Sequence, residues 1–201
     1  SFACIKGRGQ FTALADFQRL VRKISKGGRE PVYALKMDIA SFFVTIHRPT
    51  LLALLLKTTK NETLRWLLEK NILHDARENF HFASSKKERA KVPPIKSWLN
   101  QPKDFGIPIG NLTSQFYANV YLCELDHFVM RNLNTLGYLR YMDDLLLLDT
   151  DPENLLNCIN PVELWLNQKR KQKLNPEKTK LTLLKDGIEY LGFNLYQENN
   201  A

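Results

Sequence analysis

The chain has 201 residues, with 29 Lys and Arg against 21 Asp and Glu, a formal charge of +8 and a hydrophobic fraction of 44%. That balance excludes a disordered chain and allows one large domain or two small ones, with a core that needs no covalent staples. The positive charge admits a polyanionic partner without naming one. Cys4, Cys123 and Cys158 lie far apart, form no CxxC pair and are odd in number. They make neither a disulfide framework nor a zinc site, so a reducing, cytoplasmic setting is the expectation. No apolar run approaches the roughly 20 residues of a membrane span, and no signal peptide is visible, so no membrane partner is expected. Ser1 opens what reads as mid-domain sequence, and Asn199-Asn200-Ala201 follows directly on an apolar strand. Both ends read as cut, and the expectation is a piece of a longer protein.

In chain order, Lys6-Gly7-Arg8-Gly9 is a short basic turn. Phe11, Leu14, Phe17, Leu20, Val21 and Ile24 then fall at helical spacing up to the breaker Gly27-Gly28. Residues 32–39 read as a short buried strand that carries Asp38 near its end. Residues 49–57 and 61–73 are Leu-rich helical stretches, and from about 75 to 104 the pattern dissolves into a basic loop or insertion. A turn at residues 106–110 precedes a helix carrying Phe116, Val120, Leu122, Leu125 and Val129, with Asn111, Thr113 or Ser114 as its cap. Residues 138–142 and 145–148 read as two strands flanking Asp143-Asp144. A helix is expected from about Pro152 to Lys171, kinked or restarted at Pro161. Leu181–Leu184 and Ile188–Tyr196 read as strands joined by a hairpin turn at Asp186-Gly187. The order predicts an α+β fold with one antiparallel sheet packed on helices.

The informative residues are three aspartates at strand ends. Read alone, Asp143-Asp144 is a solvated turn and Asp38 a cap at a helix start or turn. Their apolar approaches change that reading, because acids in such a setting are costly to bury unless paired or bound to metal. Carboxylates from neighbouring strand ends can converge on one point, and two such Mg²⁺ ions would stabilise both oxygens of a phosphoryl displacement.

The motifs carry a resemblance. Tyr141-Met142-Asp143-Asp144 resembles the catalytic hairpin of reverse transcriptases, motif C, and residues 36–43 (Lys-Met-Asp-Ile-Ala-Ser-Phe-Phe) resemble motif A. Residues 106–115 resemble motif B, residues 174–180 motif D, and Tyr190-Leu191-Gly192-Phe193 the primer-grip hairpin, motif E. Residues 2–14, with Gly7-Arg8-Gly9, resemble the fingers segment of bacterial reverse transcriptases related to group II introns. Six motifs in family order span nearly the whole chain. Most members of that lineage carry Gln-Gly in motif B and close it with Ser-Pro. Here Ile109-Gly110 leads to Ser114-Gln115, a form that resembles the enzymes of diversity-generating retroelements.

The resemblance implies a right-hand polymerase palm with partial fingers. Residues 1–30 would be partial fingers, 31–60 palm with motif A, 61–110 fingers or an insertion, and 111–201 palm with motifs B to E, the thumb being absent. It implies an RNA-directed DNA polymerase that copies RNA with frequent errors at adenines. The partners would be an RNA template, a DNA or RNA primer, dNTPs and a basic accessory protein, with two Mg²⁺ ions as cofactor and Mn²⁺ as the alternative. Asp38 and Asp143 would be direct metal ligands, with Asp144 as the neighbouring acid of the same site. Phe43 would be a steric gate against the ribose 2′-OH. Lys6, Arg8, Ile109, Gly110, Gln115 and Lys178 would face the dNTP, and Leu191, Gly192 and Phe193 would hold the primer end. Plainer readings stand beside these: core packing for Phe43 and Ile109, solvated lysines, and a simple hairpin core. Another bacterial reverse transcriptase (group II intron, retron or phage-defence type) and an RNA-binding palm without polymerase activity are the alternatives.

Overall fold

Strand β1 (Tyr33–Asp38) shows why this chain builds a two-sided sheet. Side chains alternate along a strand, so Leu35 and Met37 enter one apolar cluster while Ala34 enters a second on the opposite face. Lys36 and Asp38 share the face of Ala34. In this computed structural model, which describes residues 7, 9–75, 77–78, 81 and 83–197, β1 lies inside a four-stranded antiparallel sheet. Its other strands are β2 (Gly137–Tyr141), β3 (Asp144–Asp149) and β4 (Lys180–Leu183), in the order β2-β3-β1-β4.

Helices cover the sheet unequally. Helix α1 (Gln10–Ile24) buries Ala13, Phe17, Val21 and Ile24, one stripe at helical spacing, against Ala34, Leu139, Leu146 and Leu148. The larger cluster lies on the other face. It is walled by α2 (Phe42–Thr45), α3 (Arg48–Leu56), α4 (Glu62–Leu73) and, beyond the short α5 (Lys86–Arg89), by α6 (Leu112–Asn132). Helices α7 (Pro152–Asn157) and α8 (Ile159–Arg170) complete that wall. Among the described residues no helix is long and apolar enough to cross a membrane.

The α+β expectation holds, with three corrections. The helix expected from Pro152 to Lys171 breaks at Cys158, which puts Pro161 in the first turn of α8, where its missing N–H leaves no bond unmade. The loop of residues 75–104 holds α5, closed by a Ser85–Glu88 capping box, and two 3-10 turns, Pro94–Lys96 and Trp98–Asn100. The hairpin expected at Asp186-Gly187 is not formed. Strand β4 pairs with β1, residues Leu184–Asp186 make a 3-10 turn, and Leu184 is buried in the second cluster. The segment Ile188–Tyr196 is not one strand but a hairpin, β5 (Ile188–Tyr190) and β6 (Phe193–Leu195), forming a separate two-stranded sheet. Its turn is Leu191-Gly192, both at positive φ (55° and 79°), the requirement of a tight primed turn.

Gly187 has another use. Its φ is +86°, and a Cβ there would lie 2.3 Å from the ring of Tyr196. The glycine lets that ring cross the backbone. Gly187→Ala therefore meets both strain and a clash, and is expected to lower stability by about 1–3 kcal/mol, read from the denaturant midpoint.

Candidate active site

Antiparallel pairing puts the acids together. Asp38, the last residue of β1, lies directly across from Asp144, the first residue of β3. Tyr141 lies across from Asp144 on the other side. Asp143 sits in the turn between β2 and β3, next to Met142 at φ +56°. All three acids thus stand where β1 and the β2–β3 hairpin end, with Asp38 and Asp144 beside Glu189 of β5.

A buried ion pair holds that turn from below. Arg140, 1% exposed, grips Asp126 of α6 with two hydrogen bonds, Nε to Oδ1 at 2.6 Å and Nη2 to Oδ2 at 2.7 Å. Its Nη1 donates to the carbonyl of Met142 at 2.8 Å, and the Tyr138 hydroxyl donates to Asp126 at 2.8 Å. Burial works to raise the Asp126 carboxyl, but the Arg140 guanidinium outweighs it and holds that acid below its ordinary range. Sequence reasoning missed this pair. Its one available sign is an arginine between Leu139 and Tyr141 in an otherwise apolar strand.

Lysines surround the acids. Lys178 donates to Asp38 Oδ1 at 3.1 Å, and Asn175 Nδ2 lies 3.4 Å from Oδ2. The backbone positions them: Asn175 N–H donates to the Asp38 carbonyl at 2.7 Å, and the 3-10 turn Pro176–Lys178 presents the lysine. Its bond to Asp38 pushes the Lys178 ammonium up. Lys36 stands 3.9 Å from Asp144 and donates to the Glu189 carbonyl of β5 at 3.0 Å. Burial raises the Asp143 carboxyl to about 6, and the charges of Asp144 and Asp38 push the same way. Burial raises Asp144 as well, against the pull of Lys36. A cleft of about 460 Å³ opens here, bordered by Asp38, Asp144, Lys36, Lys178, Lys180 and Glu189 among others.

Among the described residues no three His, Cys, Asp or Glu side chains make a ready ion cage. The donor set nonetheless fits magnesium, which takes one or two carboxylates and completes its shell with water and substrate phosphates. Acids that raise one another's pKa are also acids that a cation relieves.

The other residues singled out in the sequence distribute unevenly. Lys178 joins the acids. Phe42 is buried, while Phe43 is half-buried against the larger cluster, with the two rings 5.3 Å apart. Ile109 is 75% exposed, Gly110 is at φ +100° and Gln115 is exposed; they stand at the entry of α6, outside the cleft. Asn111 occupies the N-cap of α6, but its side chain makes no capping bond. Leu191 and Gly192 form the β5–β6 turn, and Phe193 packs near Phe11 with ring centres 6.4 Å apart. Lys6 and Arg8 lie outside the described residues.

Comparison with known proteins agrees with the motifs. The family model described as reverse transcriptase (RNA-dependent DNA polymerase) matches residues 3–195. No curated protein matches the chain. Two telomerases are among the solved structures to which the chain is similar. Apo telomerase from Candida tropicalis, truncated from the C-terminal domain, is similar with a TM-score of 0.56 and 14% identity, over 94% of this chain and 39% of that one. Telomerase from Candida albicans, in complex with a fragment of telomeric RNA, has a TM-score of 0.57 and 15% identity, over 94% of this chain and 33% of that one. The likeness establishes the palm fold, and the chain spans well under half the length of either.

Two outcomes follow from the site. Arg140→Met removes the guanidinium that balances the Asp126 charge and leaves the Tyr138 hydroxyl bond in place, and is expected to cost about 3–5 kcal/mol in a denaturant titration. The ionised form of Asp143 is disfavoured by folding: its pKa is about 6 in the folded chain against an ordinary 3.8. The penalty is absent below the unfolded pKa and grows as pH rises through the folded one. Asp143→Asn, measured without divalent ions, should therefore stabilise the protein at pH 8 and make no difference at pH 3; an equal effect at both would disprove this.

Proposed function

The chain belongs to the reverse transcriptase family, and from that premise we propose that it is the catalytic palm of an RNA-directed DNA polymerase. The observation that carries this is the register of Asp38 on Asp144 with Asp143 in the adjoining turn, under a cleft edged by lysines. The reaction is attack of a primer 3′-OH on the α-phosphate of a dNTP, forming one P–O bond and breaking another so that pyrophosphate leaves. Asp38 and Asp143 would hold magnesium, with Asp144 beside them, and the metal when bound supplies charge for the attacking and leaving oxygens. Lys178, bonded here to Asp38, would be placed to donate a hydrogen bond or proton to the departing pyrophosphate. Lys36 opposes the upward shift that burial imposes on Asp144, and its bond to the Glu189 carbonyl links that acid to β5, so the hairpin of Leu191, Gly192 and Phe193 would be braced against the acids whose primer it would hold. Phe43, half-buried against fixed neighbours, would present a rigid ring to the sugar.

An RNA template, a primer and dNTPs are the proposed substrates; one of the solved telomerases is itself in complex with RNA. Within the family we assign the chain to the error-prone enzymes of diversity-generating retroelements, with a basic accessory protein as further partner. Motif B supports this: Ile109 stands in place of the usual glutamine and is exposed rather than packed. An aliphatic side chain there cannot hydrogen-bond substrate, which loosens nucleotide positioning.

Primer extension tests both levels. The full-length protein with Mg²⁺, dNTPs and a primed RNA should make cDNA, and Asp143→Ala should reduce the rate by at least a thousandfold, roughly the loss seen when a key transition-state contact is removed. Absence of extension by a folded, full-length protein would favour an RNA-binding palm without activity. Ile109→Gln should lower misincorporation opposite adenine while extension persists; an unchanged error rate would remove this account of infidelity.

A further inference from the structure

The helix that carries Phe43 cannot stand by itself. Helix α2 has four residues, and its N-cap Ser41 sits at φ +51° with no side-chain capping bond. One turn of helix is a nucleus without propagation, unstable in isolation, and a serine in the left-handed region adds a cost of its own. The geometry of α2 is therefore set by what grips it from outside. One grip comes from the motif B turn: the Ile107 N–H donates to the Phe43 carbonyl at 3.0 Å, and the Gly106 N–H to the Ile46 carbonyl at 2.9 Å. The other comes from the segment that follows α8.

That segment is fixed before it reaches α2. Helix α8 ends at Arg170, Lys171 takes the left-handed conformation at φ +55°, and the Gln172 N–H returns to the Leu166 carbonyl at 3.2 Å. The Lys173 carbonyl then accepts from the Ala40 N–H at 2.9 Å. Between those anchors the Gln172 side chain reaches α2: its Nε2 donates to the Phe42 carbonyl at 3.2 Å and lies 3.3 Å from Thr45 Oγ1. The Phe42 carbonyl belongs to the peptide that joins Phe42 to Phe43. Gln172 is 1% exposed, and its Oε1 is buried without a partner. Turning the amide over would set Oε1 against the Phe42 carbonyl, acceptor on acceptor, so a flip does not repair it. A methionine would fill the same space without stranding an acceptor. For the core alone the glutamine is a destabilising choice; what it adds is the bond to the Phe42–Phe43 peptide.

We propose that Gln172 is a positioning residue for sugar discrimination, holding the Phe42–Phe43 peptide so that the Phe43 ring stays at one height against the ribose of the incoming nucleotide. It acts only through that ring. The inference rests on the reading of Phe43 as the gate against the 2′-OH. A gate excludes a hydroxyl only if moving the ring aside is costly, and a ring on one unsupported turn yields cheaply. Here the carbonyls on both sides of Phe43, its own and that of Phe42, are engaged from two separate segments, so displacing the ring means breaking those bonds.

The test is single-nucleotide extension by the full-length protein, comparing kcat/KM for a dNTP and for the matching rNTP. Wild type should prefer the dNTP, and Phe43→Ala should erode that preference. Gln172→Met keeps the volume and removes the donor. It should lower the preference about fivefold, the size of one modest hydrogen bond, by raising kcat/KM for the rNTP while that for the dNTP stays within about twofold. Its melting temperature should stay close to wild type, because the stranded acceptor is gone and the Thr45 hydroxyl still lies 3.1 Å from the Phe42 carbonyl. Added to Phe43→Ala, the substitution should change the preference no further, the mark of action through the ring. Gln172→Leu should behave as Gln172→Met does. The proposal fails if Gln172→Met keeps the wild-type preference, or if its effect persists undiminished without the Phe43 ring. Unfolding of both apolar variants would make Gln172 a structural requirement and overturn it too. A Phe43→Ala protein as selective as wild type would instead remove the gate, and this inference with it.

Discussion

The arrangement of the acids depends on the contact between Arg140 and Asp126. A strand that ends in a tight turn has no reason of its own to hold that turn at one height above the core. Arg140 supplies it, because one side chain reaches the helix behind the sheet and the Met142 carbonyl in front. A bidentate arginine–carboxylate pair fixes direction as well as distance. Apolar packing of β2 on α6 would tolerate small slides; this pair does not. The positive φ of Met142 is held in place by the same bond.

The second constraint is the parity of the sheet. Because Leu35 and Met37 belong to the larger cluster, Lys36 and Asp38 must face the other way, and antiparallel register brings Asp144 to that side. That face is covered only in part, by α1 and the β5–β6 hairpin. One end is dry enough to anchor the strands, and the other is open enough to admit a charged ligand. Raised carboxyls at Asp143 and Asp144 are the electrostatic signature of that boundary.

Much of this was readable before the structure. The strand ending at Asp38 and the paired strands around Asp143-Asp144 declared themselves by apolar runs broken by acids. Helix α1 did so by its spacing. What failed was local turn chemistry: Asp186-Gly187 looks like a hairpin turn, but Leu184 is drawn into the second cluster and β4 is taken by β1. Leu191-Gly192 makes the turn instead, with a leucine in a conformation that its own preference disfavours. The partners of Arg140 and Gln172 were invisible for a different reason. Their contacts join segments far apart in the chain, and one sequence carries no record of such pairs.

The placement of β1 at the centre of the sheet has a consequence for how the protein comes to be. Its neighbours are β3, at residues 144–149, and β4, at residues 180–183, so the strand carrying Asp38 has no sheet partner until most of the chain exists. The second cluster likewise joins α1 to residues 184–190. Such non-local closure slows folding, since long loops must be shut before any contact rewards them. As the chain emerges from the ribosome, the helical segments 48–73 can form early, while β1 waits as an unpaired, apolar strand. Until β3 is made, β1 lacks its pairing on that side, so Asp38 and Asp144 can meet only after residue 144 has been synthesised.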